Sequence, residues 1–152
     1  MPDKILFKGD LMALLVKKLD DRAILPKLAH DGDIGYDLFA LEDTEFGFGW
    51  GVHKVRTGVA IEFTPSAGAK LETRSSMALK GIQVVGGVID SKYTGEIVVL
   101  LAYRPFEKPY RIRRGDKIAQ LIRVEIPHDE VVEVEKLTET VRGAQGFGSS
   151  GR

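Results

Sequence analysis

The sequence predicts an all-β fold, a sandwich or barrel of short strands, and three observations carry the prediction. Apolar residues recur mostly at every second position rather than at helical spacing. Turn-forming residues, with 17 glycines among them, punctuate these runs at short intervals. Only one short stretch reads as helix.

The elements follow in order. Gly32-Asp33-Ile34-Gly35-Tyr36-Asp37-Leu38 is a glycine-rich entry to a strand that carries two carboxylates. Either could hold a hydrated Mg2+, which keeps most of its waters and relies on few protein oxygens; a plain turn uses the same residues. Phe46-Gly47-Phe48-Gly49-Trp50 reads as a loop packed by its own aromatics. Val55, Thr57, Val59, Ile61 and Phe63 alternate with Lys54, Arg56, Gly58, Ala60 and Glu62 as a half-buried strand, which Thr64-Pro65 ends. The helix is Met77-Ala78-Leu79-Lys80, with Ser75 or Ser76 as N-cap and Gly81 as its stop.

Val84-Val85…Val88-Ile89 and Ile97-Val98-Val99 read as the arms of a β-hairpin whose turn begins at Asp90. Ile97 to Leu101 is apolar throughout, the pattern of a central strand buried on both faces. Lys108-Pro109 and Arg114-Gly115-Asp116 mark turns. Ile118, Gln120, Ile122, Val124 and Ile126 share one strand face, opposite Arg123 and Glu125; Val132 and Val134 then interleave with Glu133 and Glu135. After Val141 the composition changes, because four of the ten residues from Arg142 to Gly151 are glycine. Such a segment has little apolar surface to offset its ordering entropy. The chain therefore divides into an all-β domain, sandwich or barrel, 1–141, and a flexible glycine-rich C-terminal arm, 142–152.

At 152 residues the chain is long enough for one domain with a real core. Lys and Arg number 22, as do Asp and Glu, which argues against a nucleic-acid-binding surface but leaves room for a small anionic ligand. The absence of cysteine excludes thiolate catalysis, disulfides and Cys-based zinc sites. The first ten residues lack the apolar core of a signal peptide and no run reaches membrane-spanning length, so the expectation is a soluble, cytoplasmic protein. His30, His53 and His128 show no ligand spacing and read as surface or turn residues.

Four groups of residues could carry chemistry. Arg74-Ser75-Ser76 brings a guanidinium and two hydroxyls together where a short helix begins, an oxyanion cradle or an ordinary serine cap. Asp90 sits at a turn, where an Asp can bond nearby backbone; Tyr93, a large ring with no packing need there, favours a functional role. Gly143 and Gly148 have the spacing of a phosphate-binding loop, but Ser149 stands where that loop needs Lys and no helix can follow. Phe147, one aromatic in a glycine run, suits stacking on a planar ligand. The fourth group is the carboxylate pair Asp33 and Asp37.

In this order, these segments closely resemble the five motifs of the trimeric dUTP pyrophosphatases, the dUTPases. Gly32 to Ala40 is similar to the first motif, Arg74 to Gly81 to the second and Gly86 to Glu96 to the third. Arg114 to Ile122 is similar to the fourth and the glycine-rich tail to the fifth. The resemblance implies a jelly-roll β-barrel that forms a homotrimer, with each active site shared by three chains. It implies hydrolysis of dUTP to dUMP and pyrophosphate, which limits uracil in DNA and supplies dUMP for dTMP synthesis.

The same resemblance assigns roles. Asp90 would aim and deprotonate a water for in-line attack on the α-phosphorus. Mg2+ would bind the phosphates, with Asp37 reaching it through water. Arg74, Ser75, Ser76 and Gln120 would hold the phosphate chain. Tyr93 would pack against deoxyribose and exclude a 2′-hydroxyl, while the backbone from Val84 to Gly87, with Ile89 beside it, would meet uracil. The arm would close with Phe147 on the base and Arg142, Gly148, Ser149 and Ser150 at the phosphates. Two departures stand out: Val84 where many relatives carry a base-contacting Asn, and Ser150 in place of the more usual Thr.

Two rival readings share the fold. A dCTP deaminase needs a glutamate on the strand after the hairpin, where this sequence has Leu100. A dUTPase-like module could instead dock a regulatory protein partner, with Thr44 to Trp50 as the surface.

Overall fold

The computed structural model describes residues 14–47, 51–103, 109–127, 129–141 and 143. Within them lie β1 (Leu15–Lys18), β2 (Tyr36–Phe39), β3 (Thr44–Phe46), β4 (Gly51–Glu62), β5 (Ala67–Glu72), α1 (Ser75–Ala78), β6 (Ile82–Val84), β7 (Val88–Ile89), β8 (Glu96–Tyr103), β9 (Tyr110–Ile112) and β10 (Lys117–Glu125). The fold is all-β with one short helix, as the period-two pattern predicts. One antiparallel sheet has the order β1-β4-β8-β6 and a second β2-β10-β5-β7; β3 and β9 form a two-stranded ribbon. Among the described residues no helix is long and apolar enough to cross a membrane.

The core lies between the two sheets. Val55, Ile97, Val99 and Leu101 from the first pack in one cluster with Leu38, Leu71 and Leu121 from the second. Each such side chain contributes about 1.5–3 kcal/mol on burial. Register fixes which residues face away. Leu121 lies opposite Tyr36 on β2 and Leu71 on β5, so that row faces the core; the next row, Asp37, Gln120 and Glu72, shares the other face. The site is built on this second row.

Several local expectations change. The helix spans Ser75–Ala78 with Arg74 at the N-cap, so neither serine caps it by a side-chain bond. Gly81 does end it, at φ 72°, with its N–H on Ala78 O. The hairpin is also different. β6 pairs with β8 in the first sheet, whereas β7 crosses to the second and pairs with β5. Gly86 and Gly87, at φ 69° and 86°, make that crossing, and a Cβ on Gly87 would stand 3.0 Å from Leu71 O.

In β8 the residues Ile97, Val99 and Leu101 are fully buried, but Val98 and Leu100 on the opposite face are only half-buried. In β10 the pairing with β2 slips between Lys117 and Ala119, and Ile118 and Ala119 are both buried. That slip breaks the alternation, so Leu121 faces the core while Gln120 and Ile122 are half-buried and Val124 is exposed. Phe46 is not loop: it is a fully buried β3 residue stacked on His53 at 4.2 Å and tilted against Tyr103 and Tyr110. His53 is thereby a packing residue of β4, whereas His30 stays in a turn, its N–H on Asp33 Oδ2. The stretch from Val132 to Glu135 forms no strand, for it has no pairing partner within the described residues, and Val131, Leu137 and Val141 are strongly exposed.

Candidate active site

Asp37 anchors the first half of the candidate site. Its backbone pairs with Gln120 of β10 and also bridges to Lys27, whose carbonyl accepts the Asp37 N–H at 2.9 Å. The side chain is only 6% exposed, and Arg74 Nε donates to Oδ1 at 3.0 Å. Lys117 Nζ lies 2.7 Å from Oδ2. That contact is an ion pair, and Oδ2 has no hydrogen-bond partner among the described residues. One buried carboxylate thus holds two cations, which would otherwise repel each other. Arg74 also reaches Ser76 Oγ at 3.4 Å and Lys117 O at 3.5 Å, fixing its guanidinium at several points.

Beside these groups opens a cleft of about 260 Å³. Arg74, Ser76, Lys80, Tyr110, Asp116 and Lys117 supply its polar rim, over Met77, Ile112 and Ile118. Lys80 Nζ sits 3.2 Å from Tyr110 Oη and 5.2 Å from the ring centroid. Guanidinium, ammonium and hydroxyl donors around a cleft of this size suit a phosphate chain. Gln120 belongs to the same face, and Gly35 makes room for it: a Cβ there would stand 2.9 Å from Gln120 Oε1. Ser75 and Ser76 are exposed.

The second half of the site is the loop after β7. Ile89 packs against the core and leads into Asp90, whose side chain is exposed. The loop is closed by Tyr93 N–H donating to Asp90 O at 3.0 Å and by Tyr93 Oη donating to Glu96 O at 2.9 Å. Glu96 is itself tied to β4 through Arg56 Nε and the Gly58 N–H. Some backbone groups near the expected uracil contact are already engaged. Val84 N–H donates to Thr73 Oγ1, Val85 N–H to Leu100 O, and Gly87 O accepts from Leu71 N–H. Any base reading by this stretch must use other groups.

The structure therefore brings Asp37, Arg74, Ser76 and Gln120 together, and puts Asp90 and Tyr93 in one loop. Arg142, Phe147, Gly148, Ser149 and Ser150 lie outside the described residues, as do Phe48 to Trp50 and His128. Lys117, Lys80, Glu96 and Gly95 carry no role in the sequence reading. Lys117 stands in a charged turn with Arg113, Arg114 and Asp116, so nothing local marks it out from them.

No group of three or more His, Asp or Glu that could hold a metal occurs among the described residues. A divalent cation carried in on phosphate oxygens would need few protein ligands, and Asp37, whose Oδ2 is buried without a hydrogen bond beside the Lys117 ammonium, is a carboxylate that could reach its water shell.

The dUTPase family model matches residues 21–151. The chain is 43% identical over 143 residues to the deoxyuridine 5′-triphosphate nucleotidohydrolase of Gloeothece citriformis, covering 92% of this chain and 97% of that one. It is 41% identical over 142 residues to the protein of that name from Paramecium bursaria Chlorella virus 1, covering 93% and 99%. Among solved structures it is similar to the Staphylococcus bacteriophage 80alpha dUTPase with dUPNHPP, at TM-score 0.83 and 29% identity, covering 92% of this chain and 99% of that one.

Proposed function

This chain belongs to the dUTPase family, and from that premise we propose that it hydrolyses dUTP to dUMP and pyrophosphate by attack of water on the α-phosphorus. The observation that carries the reading is the Arg74–Asp37–Lys117 cluster on the rim of a phosphate-sized cleft. Arg74, Ser75, Ser76 and Gln120 hold the phosphate chain. Asp90 receives the proton as it aims the water, and positioning does most of the work. Asp37 is the side chain that would reach, through water, a Mg2+ carried in on the substrate phosphates, and that ion would supply charge neutralisation. Tyr93 packs against deoxyribose, and Val84, Gly87 and Ile89 line the base. Phe147 stacks on uracil, while Arg142, Gly148, Ser149 and Ser150 cover the phosphates and exclude water.

We place the active sites between three copies of the chain. Two features support association. β8 is apolar on both faces, yet the face bearing Val98 and Leu100 is only half-covered. Val131, Val132, Val134, Leu137 and Val141 expose an apolar series just before the arm. Light scattering should give a trimeric mass, and a monomeric mass with full activity would remove the shared-site proposal. The substrate is a soluble nucleotide of the cell interior, and the enzyme belongs with it in the cytoplasm.

Deamination has no support at Leu100, which lies on β8 opposite Lys54 in an apolar run. A regulatory docking surface from Thr44 to Trp50 loses Phe46 to the core. The test of the main reading is pyrophosphate release from dUTP, dCTP, dTTP and UTP with Mg2+. Release from dUTP alone is expected; ammonia from dCTP, or equal rates on dUTP and UTP, would overturn it.

A further inference from the structure

Gly95 differs from the glycines that the backbone demands. Its φ lies outside the left-handed region, unlike those of Gly58, Gly81, Gly86 and Gly87. An alanine would therefore meet no backbone objection there. A side-chain objection does exist. A Cβ on Gly95 would stand 2.6 Å from Tyr93 Oη, 2.7 Å from Cζ and 3.1 Å from Cε2. Real Cβ atoms do not approach that closely, and the atom in the way is the far end of a side chain. The ring would move before the main chain did.

The ring lies over Gly95 because both its ends are held. Its backbone N–H closes the turn onto Asp90 O, and its hydroxyl reaches past Gly95 to Glu96 O. Glu96 is a firm anchor. Its carboxylate, 19% exposed, accepts from Arg56 Nε and from Gly58 N–H, where β4 breaks its pairing with β8. The position of the Tyr93 ring is therefore set by three things: the turn at Asp90, the carbonyl of Glu96, and the missing Cβ between them.

We propose that Gly95 is a positioning residue for sugar discrimination: its lack of a side chain seats the Tyr93 ring where it excludes a 2′-hydroxyl. The inference rests on the proposal that Tyr93 faces the sugar. A ring pushed off Gly95 widens the pocket on the side where ribose carries its extra oxygen. Discrimination by shape in such a pocket is worth roughly 10–200-fold, and this is the quantity at stake.

The experiment compares kcat/KM for dUTP and UTP in the wild type, Gly95→Ala, Tyr93→Ala and the double variant. Gly95→Ala is expected to lower the dUTP preference roughly tenfold or more, mainly by raising kcat/KM for UTP relative to dUTP, with the unfolding temperature nearly unchanged. Tyr93→Ala should lower it at least as much. In the Tyr93→Ala background, Gly95→Ala should then change nothing, since there is no ring left to displace. An unchanged preference in Gly95→Ala, or an equal loss in the Tyr93→Ala background, overturns the inference. Should Gly95→Ala fail to fold, Tyr93→Phe tests the anchor alone: loss of the bond to Glu96 O should lower the preference by a smaller factor, and no change overturns it. A wild type that cleaves dUTP and UTP equally overturns instead the sugar-facing role of Tyr93.

Discussion

Arg74 and Asp90 follow neighbouring strands of the same sheet, yet they are supported very differently. Arg74 follows β5, which is flanked by β10 and β7, and its guanidinium touches Asp37, Ser76 and the Lys117 carbonyl. Asp90 follows β7, a two-residue strand at the sheet edge, and its side chain is exposed. The side that we propose holds phosphate is preorganised inside one chain by buried charge. The side that we propose carries the chemistry is shaped only by local backbone, Tyr93 and Glu96. A carboxylate left in water is a poor place for chemistry, so the loop needs the nucleotide, and on our proposal two further chains, to become a closed site.

The largest expected effect lies at the exposed end. Asp90→Asn should lower kcat by about 10³–10⁴-fold while dUTP affinity, measured calorimetrically, stays within a few-fold. A collapse of affinity would show that Asp90 binds substrate as well. Deleting residues 142–152 comes next. It should cost on the order of 10²-fold in kcat or more and leave circular dichroism and unfolding temperature unchanged. If the truncated protein unfolds, the arm is structural and the contrast between a finished barrel and an unfinished site fails.

At the buried end the effect should fall on binding and stability together. Asp37→Asn leaves Arg74 and Lys117 facing each other without their shared carboxylate. It should raise KM for dUTP and lower stability by about 2–3 kcal/mol, less than for a wholly buried pair because both cations keep contact with water. An effect on kcat alone would place Asp37 with the chemistry rather than with the cradle. The smallest effect lies far from both. Arg22 hydrogen bonds hold the Asp20 carboxyl well below the usual carboxylate range. Any stability it adds is fully present above its ordinary value of 3.8 and is lost as pH falls through the lower folded value. Wild type and Asp20→Asn should therefore differ slightly at neutral pH and converge in strong acid.

The two ends were also unequally legible in the sequence. The segments around Asp90 and Arg74 could be picked out, because turn glycines, paired hydroxyls and a misplaced aromatic are local signals, whereas Gln120 took its role only from the family resemblance. The Asp37–Arg74–Lys117 cluster could not be picked out, since it joins residues of β2 and β10 to the N-cap of α1, and no local pattern fixes the register that brings them together. β10 was misread for the same kind of reason. Its pairing slips between Lys117 and Ala119, and beyond the slip each side chain changes face. Phe46 looked like loop because glycines follow it, but its neighbours in the core, His53, Tyr103 and Tyr110, come from distant segments.

Hydrolysis of dUTP in heavy-oxygen water, with Mg2+ and analysis of both products by mass spectrometry, reads the bond that breaks. If Asp90 directs water at the innermost phosphorus, the label enters dUMP and none enters pyrophosphate. Label in pyrophosphate would place the attack on the β-phosphorus and contradict the role assigned to that loop.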